Sequence, residues 1–480
     1  MIRCLQFCLV GLLLSASPGT AQLARGGLAV DPRPEDQQRF GAHDLYAAST
    51  NPALLVWSHP AGFTWYQFSY HDQRNAWRRT YEPARENNTG LLFNSAKLID
   101  DRTILAAGTY YSRFHHMRTY RSLEQDFYNH YFAFSDTTTG NVNYEGPQVW
   151  ALIDFELLPR LRIGGRIDYA VQRGLKDVYT KCETIHREVE IGFGGSWQNR
   201  ARSRIVGVQY RYGDRRRQYE SVKEMQDALV YVFIGYHVMR REHPRSTSIK
   251  IDERVRHAGG FQFEQRRLLG DRVSLRLTGD YDATNGRAQF GPPSLLWEYG
   301  YWVAETYSAF LALEYLSRRR EGVLLEVGGA QKEAWARSLH RVVVLEDHQQ
   351  QLVGRLLVTL RPAERARLIG GLQRNELRND YHEYNRPFVW NRPGYERTAF
   401  ARIEIPLDPV LTVMAEGLMG RQQTDFRWEA TCFDIRSIGG GCELLTVQGT
   451  IRVLLQHEIR RPVIGRDARQ NTCCMVIFQR

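Results

Sequence analysis

Along most of the chain, apolar and polar side chains alternate residue by residue in runs of about ten, the length a tilted strand needs to cross a bilayer. In Leu161 to Gln172, Leu161, Ile163, Ile167, Tyr169 and Val171 share one face, while Arg162, Arg166, Asp168 and Gln172 share the other. Leu444 to Gln456 sets Leu445, Val447, Ile451, Val453 and Leu455 against Thr446, Gln448, Thr450, Arg452 and Gln456. Val273 to Tyr281 sets Val273, Leu275, Leu277 and Tyr281 against Ser274, Arg276, Thr278 and Asp280. A period of two predicts strands, and an apolar face opposite a charged one suits a sheet with lipid outside and water inside.

The connections fall into two kinds. Ile99 to Arg102, Leu158 to Arg160, Gln198 to Arg202, Leu268 to Asp271, Ser317 to Glu321, Pro362 to Arg365 and Asp408-Pro409 read as short hairpin turns. Phe114 to Glu145, Asp214 to Glu253, Tyr381 to Gly394 and Gln422 to Glu443 read as long loops rich in Tyr, Asn, Arg, Gly and Pro. Brief turns on one side and long loops on the other are the pattern of outer-membrane barrels. Counting from Phe63 to His71 as the first upward strand gives about sixteen strands, an even number that returns the chain to its starting side.

The predicted fold is therefore all-β: a transmembrane antiparallel up-and-down β-barrel of about 16 strands with a short N-terminal plug or rim segment. The expected division is 1–21 signal peptide, 22–61 periplasmic or plug segment, 62–457 barrel and 458–480 C-terminal tail or closing strand. A propeller would need a repeat of about 40 to 50 residues, and none is seen.

Composition fits this picture. The 480 residues are 43% hydrophobic and 12% aromatic, enough to exclude wholesale disorder. The mean hydropathy of −0.46 speaks against a helical membrane protein. Net charge is +11, carried almost entirely by Arg. The guanidinium suits phosphate and carboxylate, but its spread along the chain does not suit nucleic acid. Met1 to Ala21, with Arg3, the apolar run Leu9 to Leu14 and the small residues Gly19 and Ala21, reads as a signal peptide cleaved before Gln22. The expected location is the cell outer membrane. Five Cys follow the signal, none in C-x-x-C spacing, so no zinc site is expected. Cys432 and Cys442 flank Gly439 to Gly441, read here as a turn, and allow a disulfide across it.

Ahead of the first strand stands Asn51-Pro52-Ala53, followed by Pro60-Ala61-Gly62-Phe63. This segment resembles the N-terminal region of the long-chain fatty acid transporter superfamily, which includes the barrels of the type 9 secretion system. The whole chain looks most like an uncharacterised Bacteroidota-type outer-membrane barrel family. The resemblance implies that Asn51, Pro52 and Ala53 occupy a plug or rim position. The strand count exceeds the fourteen typical of the fatty acid transporters, which puts transfer of their substrate in doubt.

No nucleophile elbow, phosphate loop or zinc helix is present, and no catalytic residue, metal or cofactor is assigned. His115, His116 and His130 share one expected loop and are the only basis for a hydrolase reading. Gly192-Phe193-Gly194-Gly195 reads as a strand packed closely on a neighbour. The alternation sends Arg162, Arg166, Asp168, Arg211, Arg276, Asp280, Glu326, Arg355, Arg402, Glu404, Glu416 and Arg452 into the lumen, because an Arg facing lipid at the midplane costs about 2 to 4 kcal/mol. The expected partners are outer-membrane lipid and lipopolysaccharide, together with a small-molecule solute or a secretion or surface protein. The leading expectation is a transport-type barrel for a hydrophobic or amphipathic molecule; a passive platform for a surface or secretion partner and a barrel hydrolase are the alternatives.

Overall fold

The computed structural model describes residues 51–54 and 63–479 except 76–79, 123, 125–126, 128–129, 179–181, 202, 221–229, 236, 243–248, 269–271, 292–295, 318–320, 339–342, 364–365, 385–387, 408–409, 427–428, 447–448 and 463–468. The expected signal peptide lies outside the described residues. After a 3-10 turn at Pro52–Leu54, the strands are β1 (Phe63–Asn75), β2 (Arg85–Leu98), β3 (Thr103–Ser122), β4 (Phe132–Leu158), β5 (Leu161–Lys176), β6 (Glu183–Gln198) and β7 (Arg204–Glu220). Then come β8 (Val230–Ile234), β9 (His237–Glu242), β10 (Ile249–Leu268), β11 (Val273–Gly291), β12 (Trp297–Leu316), β13 (Gly322–Ser338) and β14 (Val343–Ala363). The series ends with β15 (Ala366–Glu383), β16 (Phe388–Pro406), β17 (Leu411–Phe426), β18 (Glu429–Thr446), β19 (Gly449–Pro462) and β20 (Arg469–Gln479).

Every strand of the ring pairs antiparallel with its neighbours. β7 pairs directly with β10, and β20 pairs with both β19 and β1, which closes the ring at 18 strands. β8 and β9 form a hairpin outside the ring, joined to the start of β4 through Phe132–Ser135. Closure leaves no unpaired edge, the condition for burying a sheet in lipid.

The alternation decides which side chains face out. On β12, Tyr307, Leu311, Leu313 and Tyr315 are 49%, 43%, 42% and 42% exposed, while Phe310, Ala312 and Glu314 between them are buried. Two tyrosines thus bracket an apolar belt about 20 Å high at the usual strand tilt. Tyr281 of β11 lies opposite Tyr307 with ring centroids 5.0 Å apart, and Phe193 lies opposite Tyr210 on β6 and β7, extending the upper aromatic band. Eighteen strands set opposite walls roughly 35 Å apart, more than inward side chains alone span.

Several expectations need correction. The ring has 18 strands because β18 ends at Thr446 and β19 begins at Gly449, the two residues paired with each other. Leu444 to Gln456 is therefore parts of two strands; its alternation runs across the boundary and hides it. Within 458–480, expected as a tail or a closing strand, β20 pairs with β1 and closes the ring. Much of the expected long loops is strand: Phe114–Ser122 belongs to β3, Phe132–Glu145 to β4, and Glu429–Glu443 to β18. Above the apolar belt a strand needs no greasy face, so backbone pairing continues where the alternation fades. Finally, Gly439 to Gly441 is not a turn. Cys432 and Cys442 lie ten residues apart on one strand, about 33 Å, far beyond disulfide reach, and Cys442 is a free thiol.

Candidate functional site

The N-terminal motif reaches the inner wall. Asn51, Ala53 and Leu54 are fully buried, and the segment lies over β5, β6 and β7 near the short-turn end. Asn51 shapes it: its Oδ1 accepts from Ala53 N at 3.0 Å and its main-chain oxygen from Leu54 N at 3.3 Å. This is the local turn that Asn before Pro favours. The Asn51 amide also grips the wall, donating to Val208 O at 3.0 Å, Gly195 O at 3.3 Å and Gln262 Oε1 at 2.9 Å. Ser196 Oγ donates to Ala53 O at 2.6 Å.

Three inward glycines make the hollow. A Cβ on Gly164 would stand 2.6 Å from the Pro52 carbonyl carbon, one on Gly194 would overlap the Asn51 amide, and one on Gly207 would stand 2.9 Å from Asn51 Nδ2. Leu54 then packs with Leu92, Ile104, Trp150, Leu152, Ile205 and Met475, tying the segment to β2, β3, β4, β7 and β20. Sequence reasoning placed Asn51, Pro52 and Ala53 together but missed their receptors. The one available signal was glycine at inward positions of three successive strands.

The charged side chains face the lumen largely as ion pairs across or along strands. Arg162 meets Asp154 at 2.8 Å, Arg166 meets Asp168 at 2.6 Å, and Arg211 lies 3.6 Å from Glu190. Gln209 donates to Asp280 at 2.9 Å. Arg276 lies 3.6 Å from Glu326, which also holds Arg355. Arg402 lies 3.2 Å from Glu404 and 3.9 Å from Glu416. The side chain of Arg452 lies outside the described residues; its backbone is on β19 opposite Glu443. These contacts form separate braces along the wall rather than one cluster.

A second insertion enters from the loop end. Phe127 and Ala133 pack with Phe233 of β8, and Phe132 and Phe134 pack with Tyr219, Phe290, Tyr299 and Trp302. Glu124 of this loop takes Lys250 of β10 at 3.0 Å, and the same ammonium sits 4.2 Å over the Phe134 ring. The His130 ring lies against the guanidiniums of Arg217 and Arg254, with Asp252 3.6 Å from Nδ1 and Glu124 3.9 Å from Nε2. Burial, with Arg217 and Arg254 adding to it against the pull of Glu124, pushes His130 down to about 3. Burial alone would raise Glu124, but Lys250, His130 and Arg217 outweigh it and hold the carboxyl low.

The three histidines do not form one site. His115 and His116 are consecutive on β3 and point to opposite sides of the sheet, so their expected loop does not exist. His116 is buried 3.4 Å from Glu86 and against the Tyr144 ring. Among the described residues no group of His, Cys, Asp and Glu has the spacing of a metal site.

A closed antiparallel barrel with an apolar outer belt and an inward-seated N-terminal segment is the class this geometry defines. The chain belongs to the family described as "Family of unknown function (DUF6850)", which it matches over residues 52–337. No curated protein matches it in sequence. Among solved structures it is similar to the FrpB iron transporter from Neisseria meningitidis, at 9% identity and a TM-score of 0.47, covering 84% of this chain and 62% of that one. It is also similar to the outer membrane protein opdK from Pseudomonas aeruginosa, at 10% identity and a TM-score of 0.38, covering 88% and 99%. The Pseudomonas putida toluene transporter TodX shows 10% identity and a TM-score of 0.33, covering 90% and 92%. All three likenesses are loose, and the role of the lumen is set by this chain's own geometry.

Proposed function

We propose that the protein is a non-enzymatic outer-membrane barrel that passes a hydrophobic or amphipathic small molecule and is obstructed at rest by its own N-terminal segment. The observation that carries this reading is the seat: a ring too wide for its side chains to fill holds Asn51–Leu54 in a glycine-lined hollow, bonded through Asn51 and Ser196. The apolar belt supports lipid as the surroundings. Above it, Arg113, Arg173 and Arg287 stand more than half exposed, which suits lipopolysaccharide phosphates.

In planar bilayers the full mature chain is expected to conduct weakly, and deletion of 22–61 to raise conductance severalfold. Equal conductance in both forms would remove the obstructing role, and none in either would remove transport. The second reading, a platform for a secretion or surface partner, draws on the β8–β9 hairpin and on strands that continue above the belt. Crosslinking in native membranes would recover one specific neighbour if it holds.

A further inference from the structure

The inner wall of β12 to β16, on the far side of the ring from the seat, differs from the rest of the lumen. Phe310, Ala312, Leu324, Val353, Leu357, Ile369 and Phe400 face inward there as one apolar cluster, with Leu357 and Ile369 at 0% exposure. Its members alternate with lipid-facing Leu311, Leu325, Leu356, Leu368 and Leu372, so these strands are apolar on both sides. Gly371 leaves room for the cluster: a Cβ there would stand 2.6 Å from both Leu357 Cδ2 and the Phe400 ring.

One level toward the loop end, register places Thr398, Gln373, Arg355 and Glu326 side by side. Arg355 and Glu326 pair with each other. Gln373 does not pair. It is 5% exposed, and neither its Nε2 nor its Oε1 has a partner; Thr398 Oγ1 and Thr359 Oγ1, also buried, lack one too. Bracing accounts poorly for this, because nearby Gln351 and Asn375 bond to each other at 3.0 Å. A buried polar group left unsatisfied costs about 1 to 3 kcal/mol, and here a donor and an acceptor sit at the rim of an apolar patch.

We propose that this patch is a solute-binding site, a proposal that rests on the transport reading above. It takes a small molecule with an apolar or aromatic body and an uncharged head that both donates and accepts hydrogen bonds, such as a carboxamide. The body lies on the Phe310 and Phe400 rings, and the head pairs with Gln373 and a threonine hydroxyl. The head is uncharged because the unpartnered groups, Gln373 and the threonine hydroxyls, offer a donor and acceptors but no charge, while Arg276 and Arg355 already share Glu326.

The test is equilibrium dialysis of the full mature protein in detergent against phenylacetamide, toluene and phenylacetate. Phenylacetamide is expected to bind tightest. Gln373→Leu is expected to weaken it about tenfold and to leave toluene unchanged or tighter, with heat-modifiable gel migration intact. Equal phenylacetamide affinity in folded Gln373→Leu and wild type would overturn the proposal, as would tightest binding of phenylacetate or no binding at all. Should Gln373→Leu fail to fold, Thr398→Val must show the same selective loss or the proposal falls. Conductance without binding would sink the site and leave the transport reading standing; binding without conductance would do the reverse.

Discussion

Asn51 shows how much one side chain can organise. It closes its own turn through Oδ1 and holds three strands through Nδ2, so Asn51→Ala should loosen the seat by about 1 to 3 kcal/mol, the cost of stranding buried partners. Cysteine placed at Ala53, which is fully buried, should resist maleimide in the otherwise native chain and react once Asn51 is alanine. Protection in both chains would mean that Leu54 alone holds the segment. His130 is the second decisive residue. Its value is depressed from 6.5 to about 3 when docked, so the undocked loop takes up a proton that the docked loop refuses. Docking is then strongest above about pH 6.5 and is lost progressively as pH falls toward 3. Protection of the Glu124 and His130–Ser135 amides, taken relative to their intrinsic exchange rates at each pH, should fall between pH 7 and pH 4, and His130→Gln should flatten the change.

At the scale of the strand, what could be read from the sequence follows the lipid. Ile167 and Tyr169 facing out with Arg166 and Asp168 facing in were legible because a bilayer punishes the reverse placement. Where the belt ends, that discipline ends, and Phe132–Glu145 and Glu429–Glu443 read as loops although their backbones pair along most of their length. The boundary between β18 and β19 is hidden for the opposite reason, since Leu445, Val447 and Ile451 keep the beat across it. The receptors of Asn51 were invisible because Gly164, Gly194 and Gly207 join it only through the closed sheet. The last strand carries its own prediction. β20 is the sole bridge from β19 to β1, so a chain ending at 468 should give no heat-modifiable band on gels, while one lacking only Arg480 should behave as wild type.

Over the whole molecule, two insertions from opposite ends meet a wall that is braced by ion pairs on most sides and greasy on one. The seat at the short-turn end is held by hydrogen bonds to main-chain oxygens, which are indifferent to pH across the physiological range. The loop-end insertion is held by ionisable side chains, Glu124 against Lys250 and His130 beside Glu124 and Asp252, and acid acts on it through His130. The hollow for residues 51–54 is also built by three consecutive strands, while the seam is sealed by the eleven residues of β20. A growing sheet can hold its own leading segment before the circle is complete, so the cylinder is finished around an occupant already aboard, and no threading through a finished mouth is required.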